Sequence, residues 1–130
     1  MRDLFLVHHH QDQDFAKGLA DSLAGRGLTL WRPAEVWPPG VRLLTIVDGG
    51  LIEARYALVV VSGDFLKVSW PRKELDGLTT RRNVVALLHG VDERDVAVHS
   101  RRLAVAAISG SMMEHLVRLL RNDSHGHGVA

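Results

Sequence analysis

Apolar positions along this chain fall into short unbroken runs that alternate with longer stretches of helical spacing. Leu4-Phe-Leu-Val7 reads as a short buried strand. Between Asp12 and Gly27, Phe15, Leu19 and Leu23 recur on one helical face, and Gly27 supplies the stop. Leu28-Thr-Leu-Trp31 reads as a second strand. Ala57-Leu-Val-Val-Val-Ser62 has no polar face, which suits a central parallel strand covered on both sides. From Leu43 onward, Leu43, Ile46, Val47 and Leu51 keep helical spacing, although Gly49-Gly50 costs about 1 kcal/mol per glycine relative to alanine. Val84-Val-Ala-Leu-Leu88 and Leu103-Ala-Val-Ala-Ala-Ile108 predict a fourth and a fifth strand, with a short helix or ordered loop over 92–99 between them. Ser111 is expected to cap a last helix through Arg121, with Met112, Leu116, Leu119 and Leu120 turned inward.

Strands alternating with helices, without hairpin signals, predict an α/β fold. The expected architecture is flavodoxin-like: a doubly wound five-stranded parallel sheet in strand order 2-1-3-4-5, with helices on both faces. One domain is expected over 1–122 and a flexible tail over 123–130. A net charge of +1 with 46% apolar residues excludes a disordered chain and gives no sign of nucleic-acid binding. Arg81-Arg82 and Arg101-Arg102 read as solvated loop charges. Without cysteine there is no disulfide or thiolate chemistry. No apolar stretch of about 20 residues and no signal peptide is evident, so no membrane association is expected and a cytoplasmic location is the default.

In this fold, ligands bind at the carboxyl ends of strands one and three. Those ends are His8 to Asp12 and Ser62 to Trp70. Pro71 is well tolerated at a first helical position and disfavours α conformation in Trp70, so Glu74 falls in a first helical turn, where the helix dipole favours a carboxylate. Fold logic alone thus gathers His8, His9, His10, Ser62, Trp70 and Glu74 around one crevice. The histidine triplet invites a metal site. In an extended strand end, however, only His8 and His10 face the same way and no third ligand is fixed by spacing, so no metal is expected. The stretch from Arg32 to Arg42, with Pro33, Pro38, Pro39 and Gly40, forbids regular structure and predicts a long stiff loop.

The order and spacing of these segments resemble a bacterial TIR (Toll/interleukin-1 receptor) domain from Asp3 to Asn122. The anchors are Asp3-Leu-Phe-Leu, Asp12-Gln-Asp-Phe15, Gly27-Leu-Thr-Leu-Trp31, Pro39-Gly40, Arg55-Tyr-Ala-Leu-Val-Val-Val-Ser62, Trp70-Pro-Arg-Lys-Glu-Leu-Asp-Gly-Leu78 and His89-Gly90-Val91. The chain departs from the pattern at Val7 and His10, at Ala54, at Pro33 and at Val41-Arg42. The resemblance implies cleavage of NAD⁺ at the nicotinamide–ribose bond, in a bacterial immune or toxin-like system. Glu74 would be the catalytic carboxylate, Trp70 an aromatic wall, and Trp37 a second wall from the loop. NAD⁺ is then the substrate and no separate cofactor is implied. Pro38, Pro39 and Gly40 lie in what would be the BB loop, through which other TIR domains associate as homo-oligomers. A sensor domain or protein is a further candidate partner.

A single carboxylate is chemically sensible for that reaction. Ordinary glycosides need a second carboxyl group to protonate the leaving oxygen. Nicotinamide in NAD⁺ is already cationic and departs neutral, so one carboxylate that offsets oxocarbenium charge can suffice. The alternative is a non-catalytic TIR assembly or signalling module. A nucleoside deoxyribosyltransferase-like enzyme would also use a glutamate on an N-glycosidic bond. A response-regulator receiver fits poorly, because histidines, Ser62 and Ser109 stand where it needs acids and a lysine.

Overall fold

The computed structural model describes residues 1–31 and 41–126. Strands β1 (Arg2–Val7), β2 (Leu30–Trp31), β3 (Ala54–Val61) and β4 (Val84–Leu88) form one parallel sheet in the order β2-β1-β3-β4. Helices α1 (Gln13–Gly25), α2 (Leu43–Glu53), α3 (Gly63–Leu66), α4 (Arg72–Leu78), α5 (Glu93–Ala97), α6 (Arg101–Ala106) and α7 (Met113–Gly126) cover it.

Alternation along the strands builds two cores. Phe5 and Val7 of β1, with Ala57, Val59 and Val61 of β3, point into a cluster with Leu43 and Val47 of α2, Leu75 and Leu78 of α4 and Leu103 of α6. Leu4 and Leu6, with Leu58 and Val60, point the other way onto Ala16, Ala20 and Leu23 of α1 and Met113, Val117 and Leu120 of α7. A strand buried on both faces needs apolar residues at every position, and the Ala57–Val61 run supplies them. Gly50 is set by this packing, since a Cβ there would stand 1.9 Å from Cδ1 of Phe5. At the end of α1, Gly27 takes φ 92°, the left-handed conformation that turns the chain so the N–H of Leu28 reaches back to the carbonyl of Leu23.

The fifth strand expected over Leu103–Ile108 is not present among the described residues. Buried Ser100 accepts the N–H of Leu103 and opens α6, and Ala104 and Ala106 favour the helix it starts. The chain becomes extended only at Ala107. Ile108 alone reaches the sheet edge: its N–H donates to Ala86 and its carbonyl accepts from Leu88, each at 2.8 Å. The expected second strand shortens to Leu30–Trp31, because Asp3 and Thr29 bracket its entrance with side-chain to backbone hydrogen bonds. In the last helix Leu120 is buried and Leu116 packs on the core as expected, but Met112 and Leu119 do not turn inward. Ser111 sits in a 3-10 turn (Gly110–Met112) bonded to Ser109, so Met113, not Met112, turns inward and Leu119 is exposed. Helix α7 also continues past Asn122 to Gly126. No helix among the described residues is long and apolar enough to cross a membrane.

Candidate functional site

Glu74 lies in the first turn of α4. Proline at 71 cannot donate to a preceding turn, and its carbonyl accepts the N–H of Glu74 at 2.9 Å, which fixes where the helix starts. Glu74 is 6% exposed. Its Oε1 accepts the backbone N–H of Leu44 at 3.3 Å, so it covers an open donor in the first turn of α2, whose N-cap residue Arg42 provides no side-chain cap. Among the described residues no hydrogen bond reaches Oε2. Close approach of the two helices depends on Gly77, where a Cβ would stand 2.6 Å from Cδ1 of Leu44.

Beside Glu74 opens a pocket of about 360 Å³, within the range of small-molecule sites. Val41 and Arg42, just before α2, and Val68, Trp70, Pro71 and Lys73, around the start of α4, line it with Glu74. Trp70 is half-buried, with its ring tilted 40° against that of Phe65 at a centroid distance of 5.9 Å. Ser69 makes this placement possible by adopting φ 64°, an uncommon conformation for a residue with a side chain, directly before the tryptophan. Arg42 and Lys73 are exposed on the rim, and Glu74 is the only acid among the described lining residues.

The other residues singled out from the sequence occupy different positions. His8 is buried just after β1, its Nδ1 donating to the carbonyl of His9 at 2.9 Å. His9 accepts the N–H of Gln11 at 3.1 Å and stacks on His10 at 4.4 Å. Ser62, just past β3, caps α3 by accepting the N–H of Phe65 and donates to the buried carboxylate of Asp12, tying the ends of β1 and β3 together. None of His8, His9, His10 or Ser62 is among the described lining residues of the Glu74 pocket. No group of three or more metal-ligating side chains forms among the described residues. Trp37, Pro38, Pro39 and Gly40 lie outside the described residues.

Arg42 stands out in the sequence only as a departure from the family pattern, and Lys73 carries no signal of its own beside Glu74. The backbone N–H of Leu44 leaves no signal in the sequence, because it meets Glu74 across thirty intervening positions. A second depression, of about 400 Å³, lies between α3 and α5. Its one acid, Asp95, is exposed and is already used in the capping box of α5 with Asp92.

An α/β chain with a parallel sheet, and a buried glutamate opening a helix beside an aromatic-walled pocket, meets its match in the TIR domain profile, which covers residues 4–120. The chain belongs to the TIR domain family. The NAD(+) hydrolase TcpA of Theionarchaea archaeon (strain DG-70-1) is 31% identical over 134 residues, covering 94% of this chain and 41% of that protein. The 2′ cyclic ADP-D-ribose synthase AbTIR of Acinetobacter baumannii is 34% identical over 108 residues, covering 78% of this chain and 40% of that protein. The chain therefore spans about two-fifths of the length of these curated relatives. Its fold is shared with a metazoan TIR-STING receptor from C. gigas, at a TM-score of 0.62 and 20% identity, over 92% of this chain and 40% of that one. It is shared as well with the TIR domains of the activated Roq1 resistosome, at a TM-score of 0.57 and 22% identity, over 82% and 68%.

Proposed function

We propose that this domain cleaves NAD⁺ at the bond between nicotinamide and ribose, with Glu74 as the catalytic carboxylate. The observation that carries this reading is a single buried carboxylate, anchored through one oxygen by Leu44, at the wall of a pocket that Trp70 also lines. In the reaction the bond from ribose C1′ to the pyridinium nitrogen breaks and its electron pair leaves with nicotinamide, which becomes neutral. Positive charge develops on the ribose, and the Glu74 carboxylate offsets it. A water oxygen then bonds to C1′ and releases a proton, giving ADP-ribose; attack by a hydroxyl of the same ligand gives a cyclic isomer. Trp70 supplies a flat apolar wall against which the pyridinium ring is oriented. Relatives named for NAD(+) hydrolysis and for 2′ cyclic ADP-D-ribose synthesis support this chemistry. An effector role in bacterial immunity, with activity raised by self-association through the loop containing Pro38, Pro39 and Gly40, belongs to the same proposal.

The test is incubation of wild type and Glu74→Gln with NAD⁺ at high protein concentration, with products separated by chromatography. Wild type releases nicotinamide and the variant does not. Absence of release from self-associated wild-type protein overturns the proposal.

One observation favours a second reading, the non-catalytic assembly module. Glu74 already has a structural use as the cap of α2, which explains its burial without any reaction. In that case self-association persists in Glu74→Gln and is lost on substitution of Pro39 or Gly40.

A further inference from the structure

We infer that the pocket selects its substrate by phosphate charge, with Arg42 and Lys73 as the anchoring cations, so that it takes a pyridine nucleotide diphosphate and rejects an uncharged nucleoside. This rests on the reading of Glu74 as acting on an N-glycosidic bond.

Charge in the pocket is segregated. Glu74 is buried and held by Leu44, while the two cations that line the pocket are exposed, Arg42 as the residue before α2 and Lys73 in the first turn of α4. Neither cation forms an ion pair among the described residues, whereas Arg26, Arg81 and Arg94 each have an acidic partner. Had they served only to balance Glu74, an approach within ion-pair distance would be expected; none occurs among the described residues, and the cation whose charge acts on Glu74 is Arg81. Two cations without an ion-pair partner among the described residues, lining one pocket with a buried anion, match a ligand that is positive at its ring and negative further along. The pyridinium would face Trp70 and Glu74, and the diphosphate would lie at the rim. Arginine meets phosphate with a planar fork of donors and lysine with a point charge, so the two together suit a diphosphate. A pocket of about 360 Å³ suits the nicotinamide nucleotide half and leaves the adenosine end outside its described walls. Deoxynucleosides carry no charge for either side chain to bind, which sets this pocket apart from that of a deoxyribosyltransferase-like enzyme.

Calorimetric titration of ADP-ribose, inorganic pyrophosphate and adenosine tests the inference without turnover. The proteins are wild type, Glu74→Gln, Arg42→Ala/Lys73→Ala, and Arg72→Ala/Arg82→Ala as a control that removes the same two positive charges outside the pocket. ADP-ribose and pyrophosphate should bind wild type, Glu74→Gln and the control. Both should weaken by roughly 10-fold or more in the double variant and with added salt, as loss of charge-assisted hydrogen bonds predicts. Arg42→Lys should recover part of the loss, and adenosine should not bind detectably. The KM for NAD⁺ should rise in the double variant by a similar factor. Equal binding of adenosine and ADP-ribose, or undiminished ADP-ribose binding by a folded double variant, overturns the inference. Should ADP-ribose binding depend on Arg42 and Lys73 while no nicotinamide is ever released, the phosphate site stands and the glycohydrolase reading falls. Should nicotinamide be released with an unchanged KM by the double variant, the opposite holds.

Discussion

Oε1 of Glu74 and the backbone N–H of Leu44 meet at 3.3 Å, so the carboxylate that faces the pocket also completes the first turn of α2. This double use separates two substitutions that remove the same charge. Glu74→Gln keeps an amide oxygen able to accept the Leu44 N–H, and should leave the thermal midpoint within about 2–4 °C of wild type, corresponding to less than about 0.5 kcal/mol. Glu74→Ala removes the cap and should cost about 1 kcal/mol, as loss of a helix cap does. Both should abolish nicotinamide release, the glutamine variant without the stability loss. Equal destabilisation of the two in denaturant titrations would show that the Leu44 contact contributes nothing.

The two adjacent glycines of α2 should respond in opposite directions. A Cβ at Gly50 runs into the Phe5 ring, and Gly50→Ala is expected to cost about 1–3 kcal/mol through overpacking between α2 and β1. At Gly49 a Cβ meets nothing within 4 Å, so Gly49→Ala should stabilise by up to about 1 kcal/mol by removing glycine from a helix interior. Urea midpoints of the two variants read this directly.

That contrast also shows what the chain discloses before folding. Its glycine pair reads as a weak helix, because the reason for Gly50, an aromatic ring from β1, is a tertiary contact. Strands β1, β3 and β4 were legible because unbroken β-branched and leucine runs fit only a sheet covered on both faces. Leu103–Ile108 looks similar in composition, yet alanine at 104 and 106 and a capping serine at 100 turn it into α6. At the pocket, Pro71 located Glu74 and Trp70 at a helix start, while Arg42 and the Leu44 N–H arrive from α2 through a fold-level contact that no local pattern records.

Arg81 clasps Asp48 with two hydrogen bonds, at 2.6 and 2.8 Å, joining the loop after α4 to α2. The hydrogen bonds from Arg81 hold the Asp48 carboxyl below its usual value of 3.8. A depressed folded pKa means the contribution is present above the unfolded value and is lost as pH falls through the folded one. Asp48→Asn should therefore lower stability at neutral pH by at most about 1 kcal/mol, since the Asp48 side chain is exposed and the Arg81 side chain partly so. The gap from wild type should close in acid below the ordinary aspartate range and narrow with added salt. A gap independent of both pH and salt, measured by denaturant titration, would assign the loss to packing.

Ser100 joins α4 to α6 from a fully buried position. Its hydroxyl donates to Asp76 at 2.5 Å and accepts the N–H of Leu103 at 3.1 Å, serving a side chain two residues from Glu74 and the start of the helix that replaces the expected fifth strand. Ser100→Ala should cost about 1–3 kcal/mol, from the lost cap and from an Asp76 oxygen left without its donor. Ser100→Thr keeps both hydrogen-bonding roles but adds a methyl group at a site with no exposure, and should fall between alanine and wild type if hydrogen bonding dominates over packing. Because Asp76 belongs to the same seven-residue helix as Glu74, any shift of α4 in Ser100→Ala should also lengthen the Glu74–Leu44 contact. Amide exchange at Leu44 and Leu103 distinguishes the cases: faster exchange at both sites indicates that α4 moves as a unit, and faster exchange at Leu103 alone confines the effect to α6.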